Sequence, residues 1–181
     1  MNHEIIEFYE NKRRVGRHKL LFDEVIRLDD EGLEKCHDYI QWLFPLPEPS
    51  KFMPNAPLLD EETAKVLASE YSVRIMEAVR HMMRFWHVTL NLHSSEHKPH
   101  LKPSQYWMTP NDHNHLRLTR IMRFLTLMAS ATKRSHEERL LYSNVAKSIL
   151  FALVSANDET EFATKETVKF WEEAAKKGWE A

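Results

Sequence analysis

An all-α fold is predicted for this 181-residue chain by three features: glycine is scarce, apolar residues recur at three- and four-residue spacing, and capping residues stand ahead of apolar stretches. Only three glycines, Gly16, Gly32 and Gly178, leave few positions for left-handed turns or close phosphate approach. That disfavours hairpin-rich folds and glycine-rich nucleotide loops. The length suffices for a sizeable core, since a fold of about 150 residues removes roughly 68–70 % of its unfolded surface from water. The expectation is one domain over residues 1–181, a helical bundle of about six to seven helices with a long central helix and an irregular loop near residues 91–110.

Ile5, Ile6, Phe8 and Tyr9 give a short apolar helix face, closed by a basic run from Lys12 to Lys19 that reads as a solvated turn. Leu20, Leu21, Val25, Ile26 and Leu28 predict a second short helix. Asp30 is a candidate cap for a third, passing through Leu33, His37, Ile40 and Phe44 until Pro45 ends it, because proline disfavours the α conformation in the residue before it. Five of the eight prolines fall between residues 45 and 57, which makes that stretch an ordered, extended connector.

Asp60 then reads as an N-cap, with Glu61 and Glu62 in the first turn, where negative charge suits the helix dipole. The helix it opens is expected to be the longest, with one buried stripe running from Ala64 through Tyr71, Ile75 and Val79 to Trp86. Asn91 to Pro110 is polar, with three histidines and three prolines, and reads as a surface connection. Three more helices follow. One carries Leu116, Ile121, Leu125 and Met128. The next opens at Ser135 with Glu138 three residues on, a capping box, and carries Val145, Ile149 and Leu153. The last runs from about Thr160 to Lys176.

A formal charge of −2 gives no whole-molecule attraction to nucleic acid or an anionic membrane, so any such role rests on a local patch. The lone Cys36 excludes an internal disulfide framework and a multi-cysteine zinc knuckle, in keeping with a reducing compartment. The N-terminus lacks the basic start and apolar stretch of a secretory signal, and no uninterrupted apolar run approaches the ~20 residues that span a bilayer. A soluble, cytoplasmic protein without a transmembrane segment is expected.

Two segments stand out. The first is His37, Asp38, Tyr39, Ile40, Gln41, Trp42, Leu43, Phe44 and Pro45; the second is His113, Asn114, His115, Leu116, Arg117, Leu118, Thr119, Arg120 and Ile121. Their order resembles the opioid growth factor receptor conserved domain, whose members carry a His-x-Tyr-Ile-Gln-Trp-Leu-Phe-Pro block followed by a basic His-Asn-x-Leu-Arg-x-Thr-Arg-Ile block. The resemblance extends loosely to Phe8 with Tyr9 and to Phe85 with Trp86. It implies the family's fold and, for activity, a receptor for a small opioid peptide that restrains cell growth, associated with the nucleus and membranes. Peripheral membrane association enters by this resemblance alone. Vertebrate members extend into a long acidic, repeat-bearing tail. This chain is expected to be a short stand-alone form, with a bacterial source among the expectations.

Read as chemistry, Glu34, His37 and Gln41 stand at i, i+3 and i+7, so a carboxylate, an imidazole and an amide project together from one helix, either as a hydrogen-bond network or as a ligand site. Trp42 either lines a groove, since tryptophan is enriched where proteins bind one another, or packs on the prolines that follow it. Arg117, Arg120 and Arg123 recur every three residues as a cationic ridge with His113 and Asn114 at its start. Such a ridge holds carboxylates or phosphates, or pairs with an acid such as Glu34. The basic run from Lys12 to Lys19 has no interleaved aromatic for base stacking.

Glu34 and His37 match one Glu-x-x-His element of di-iron bundles, but those sites need two such elements and two more glutamates, and no other histidine follows a glutamate at that spacing. His93, His97, His100, His113 and His115 are zinc or nickel ligands only adventitiously. Cys36 and His37 are adjacent and point about 100° apart on a helix, a poor geometry for a thiolate and its base. No catalytic set, cofactor or metal is expected.

The reading that follows is a non-enzymatic peptide- or protein-binding module using Glu34, His37, Gln41, Trp42, His113, Arg117 and Arg120, its groove between the helices of the two blocks. The alternative is a phosphate or nucleic-acid binder using Arg117, Arg120 and Arg123, although nucleic acid is an unlikely partner at this net charge.

Overall fold

Side chains rather than glycines start and stop the helices of this chain. The computed structural model describes residues 1–90, 98–132 and 136–179. Ser135 of the expected capping box, and His93 and His97, lie outside the described residues. Five helices open under a side-chain acceptor: α1 (His3–Tyr9) under Asn2, α3 (Asp30–Lys35) under Asp29, α5 (Glu61–Glu70) under Asp60, α7 (His113–Ala131) under Asp112 and α9 (Lys165–Ala174) under Thr164. In α2 (Phe22–Val25) the Glu24 carboxylate accepts the Leu21 amide at 2.8 Å. With α4 (Ile40–Leu43), α6 (Ser72–Phe85) and α8 (His136–Thr160), the described residues form nine helices and one two-stranded antiparallel sheet, β1 (Val88–Thr89) with β2 (His100–Leu101). The fold is mostly α, as the sequence predicts.

Helix ends show how a glycine-poor chain turns left-handed. The left-handed residue that often closes a helix is usually glycine. Here Asn11 (φ 62°) follows α1, His87 (φ 55°) follows α6 and Glu161 (φ 51°) follows α8. Gly16, at φ 70°, is the one glycine with such a backbone, and a Cβ there would strike the Asp38 carboxylate.

The chain packs as two compact units, Met1–His81 and Met82–Ala181, the boundary falling within α6. In the first, Ile5, Phe8, Tyr9, Phe22, Leu33, Leu43 and Leu67 are fully buried, with the rings of Phe8 and Tyr9 5.5 and 5.2 Å from that of Phe22. The basic run is a turn closed by a Val15–Leu20 bridge, and three of its five Lys and Arg side chains are matched: Lys12 to Glu10, Arg13 to Glu4 and Glu7, Arg14 to Glu24. Such exposed pairs contribute little stability, but they take these cations off the list of anion sites.

Two predicted helices are each broken in two. The third was expected to run from Asp30 to Phe44. It stops at Lys35, because Cys36 turns extended (ψ 121°) and the chain re-enters a helix only at Ile40. Asp29, not Asp30, caps it. The break lets the Asp38 carboxylate take the Arg17 amide and lets the Tyr39 hydroxyl donate to the carbonyl of Leu33 at 3.1 Å. The expected central helix is interrupted at Tyr71 (φ −117°, ψ 19°), whose hydroxyl donates to the Glu10 carboxylate at 3.2 Å, and α6 then continues the same buried stripe through Ile75, Val79 and Met82 to Trp86. At 25 residues, α8 is the longest described helix.

In the second unit α7 is the centre, packed on α8 and α9, while the sheet packs on α8. By length and composition α8 could cross a membrane, yet Tyr142, Val145, Ala146, Ile149, Ala152, Leu153 and Ala156 make the continuous buried stripe of a core helix. The last helix begins at Lys165 rather than near Thr160, because Glu161 turns left-handed and the Asn157 side chain takes the Ala163 amide at 2.7 Å.

Glu161 is exposed, so its backbone conformation is what a substitution there tests. An L-residue held left-handed is disfavoured by roughly 1–2 kcal/mol, part of which glycine returns as greater unfolded-state entropy. Glu161→Gly is expected to stabilise the protein by about 1 kcal/mol, read as a higher urea midpoint at unchanged slope; an equal or lower midpoint would contradict the cap assignment.

Candidate functional site

Most of the first block is interior. Tyr39, Ile40, Gln41, Leu43 and Phe44 are buried, Glu34 and Trp42 half-buried and His37 exposed. Because the helix breaks after Lys35, Glu34 lies on α3, His37 in the break and Gln41 on α4, so the expected polar stripe does not form on one helix. Gln41 keeps its amide oxygen buried without a hydrogen-bond partner. The Trp42 ring sits 5.9 Å from that of Phe8 and 5.7 Å beneath the Arg13 guanidinium, so α1 and the basic turn hold it.

The second block is equally structural. Arg117 is only 5 % exposed and donates to the Asn114 side chain at 3.2 Å, with Asn114 itself fully buried. Arg123 donates to the carbonyls of Lys177 and Gly178, where a Cβ on Gly178 would land on the Ser130 hydroxyl. Arg120 and His113 are half-buried. The three arginines therefore do not form an open cationic ridge: two of them are committed to the chain's own polar groups. Gln41 and Trp42 belong to the first unit and His113, Arg117 and Arg120 to the second.

Around the N-terminal turn of α7 is an aromatic cluster that periodicity did not reveal. The His115 ring stands edge-on to Trp107 (6.2 Å), Phe162 (5.5 Å) and Trp171 (5.5 Å), and Trp107 in turn to Trp86 (6.5 Å). The indole N–H of Trp171 donates to the His115 carbonyl at 3.3 Å. Both ring nitrogens of His115 are buried, with the Trp107 backbone as a neighbouring polar group. Burial holds the imidazole pKa below its ordinary 6.5; Asp112 opposes that shift and His113 adds to it. A tryptophan inside a polar connector was the available signal, since tryptophan is seldom left in solvent.

Trp107 anchors a loop whose outer side is open. Beside the sheet lies a depression of about 500 Å³ lined by His87, Lys102, Pro103, Ser104, Gln105, Tyr106, Met108 and Thr160, a size usual for ligand sites. Tyr106 is 87 % exposed. The loop is held by the Ser104 amide donating to the Met108 sulfur at 3.1 Å and by the Ser104 hydroxyl accepting from the Tyr106 amide at 3.3 Å. Sequence reading placed this stretch in a featureless surface connection and missed its strand, its anchor and its cavity. Among the described residues, no three His, Cys, Asp or Glu side chains converge as metal ligands.

The opioid growth factor receptor (OGFr) conserved region matches residues 2–151, and the chain belongs to that family. It is similar to the mouse opioid growth factor receptor, 30 % identical over 127 residues that are 66 % of this chain and 20 % of the mouse protein. It is 29 % identical over 127 residues to the rat opioid growth factor receptor, 66 % of this chain and 22 % of the relative. It is also 30 % identical over 133 residues to the rat opioid growth factor receptor-like protein 1, 66 % and 27 % of the two chains. The chain thus spans about a fifth to a quarter of the length of these relatives. No solved structure matches it.

His115 generates a pH dependence whose sign follows from its depressed pKa. Below pH 6.5 the unfolded chain takes up a proton that the folded state resists, so the unfolded state binds more protons and stability falls as pH falls toward the folded pKa. His115→Phe keeps an aromatic ring and removes that proton. Urea unfolding at pH 7.5 and 5.5 is expected to show the variant gaining on the wild type at the lower pH; parallel losses would mean that His115 is not held neutral.

Proposed function

We propose that this member of the family is a non-enzymatic module that binds a peptide or a segment of a partner protein, and that the depression beside the sheet is its binding surface. The carrying observation is the lining itself. An exposed tyrosine ring, a methionine held by its own loop, one proline, one threonine and several hydrogen-bonding side chains share one concave surface. Concave surfaces that mix aromatic and thioether groups with a few polar ones suit peptide side chains.

The mouse and rat relatives are named as receptors, which favours a ligand-binding role here over catalysis. The interior position of both signature blocks supports assigning the ligand to this surface rather than to Gln41 or Arg117. The committed guanidiniums of Arg117 and Arg123 count against the phosphate and nucleic-acid alternative. We propose the cytoplasm as its compartment, on the strength of the lone, buried cysteine.

Selection from a random peptide library displayed on phage tests the reading. Peptides enriched on the wild-type protein are expected to lose at least tenfold in affinity on a Tyr106→Ala, Met108→Ala variant that retains its circular dichroism spectrum, about 1.4 kcal/mol. Enriched peptides indifferent to both changes would remove the depression as the binding surface.

A further inference from the structure

The depression carries a charge pattern that narrows its ligand. The pairing of Val88 with Leu101 sets His87 opposite Lys102, and the Lys102 amide donates to the His87 carbonyl at 3.1 Å. His87 and Lys102 both line the depression, and none of the described residues that line it is acidic. Among the described residues Lys102 takes part in no ion pair.

The left-handed His87 (φ 55°) that closes α6 is the residue that joins this helix to the wall of the depression. Tyr106 and Met108 line the same depression with apolar surface, and Ser104 and Gln105 add polar side chains. On a chain with net charge −2, a depression lined by basic and apolar residues is a local reversal of sign.

We propose that the depression selects its ligand through an anionic group, a carboxylate or a phosphate, held between Lys102 and His87 while an attached aromatic or aliphatic group lies against Tyr106 and Met108. This rests on the depression being the binding surface. Anionic group and apolar group must be neighbours in the ligand, because the basic pair and the apolar wall belong to one cavity.

Nitrogen-15 NMR titrations of the full chain with N-acetylphenylalanine, N-acetylphenylalanine amide and phenyl phosphate test it, read at the amides of His87, Lys102, Tyr106 and Met108. The acid and the phosphate ester are expected to shift these amides at least tenfold more tightly than the neutral amide, weakening with added salt. Lys102→Gln, whose spectrum reports its own folding, is expected to abolish that preference. Whichever of the two anions binds more tightly assigns the source of the charge. Equal binding of the neutral amide would overturn the anion selection while leaving the depression a binding surface. No shift at these amides with any of the three probes would overturn both.

Discussion

Every helix that ends inside a protein leaves carbonyls that need a donor, and this chain must satisfy them with hardly any glycine. The usual exit, a left-handed glycine after the last turn, is open only where glycine occurs. The protein closes its helix ends with side chains instead. The buried hydroxyl of Tyr39 donates to Leu33 near the end of α3, and that of Tyr9 to Leu43 at the end of α4. In the second unit the Thr126 hydroxyl donates to Ala174 at the end of α9, and Arg123 reaches the carbonyls just beyond it. Where no side chain serves, Asn11, His87 and Glu161 accept the left-handed backbone themselves. The short helices of the first unit hold their places because these donors are buried with them.

This constraint gives the family signature its physical meaning. Tyr39 of the first block closes a helix, and Ile40, Leu43 and Phe44 fill the core around it. In the second block Asn114 and Arg117 satisfy each other in the interior, and the His115 carbonyl receives both the Thr119 hydroxyl and the Trp171 indole. Residues spent in this way are poorly placed to meet a ligand. Beside the sheet, by contrast, the chain presents Tyr106 to solvent and turns Trp107 inward to hold the loop.

Much of the fold is legible in the sequence because helical periodicity and caps are local. The Asp60 cap, the stripe from Ala64 to Trp86 and the helix carrying Ile121, Leu125 and Met128 follow from spacing, although Leu116, read onto the same face, is exposed. What is not legible depends on partners distant in sequence. Nothing in the run from Asp30 to Phe44 announces that Asp38 is drawn out to the Gly16 turn. Likewise, the halt at Tyr71 is tied to Glu10, sixty-one residues away. The arginine spacing reads correctly along one helix, but spacing cannot say that Arg117 is buried and that Arg123 is spent on the carbonyls after α9. The candidate site was the least legible part: strands of two residues carry almost no periodic signal, and a cavity has no sequence pattern at all.

The central claim is that buried tyrosine hydroxyls, not glycines, finish α3 and α4 in the first unit. Urea unfolding of Tyr9→Phe and Tyr39→Phe tests it most directly, because each change removes one hydroxyl and leaves the ring packing intact. A buried carbonyl deprived of its donor costs about 1–3 kcal/mol, so each variant should unfold at a clearly lower midpoint with an unchanged slope. Midpoints equal to the wild type for both would mean that those carbonyls are satisfied without the tyrosines, and the account of how this fold closes its helices would be wrong.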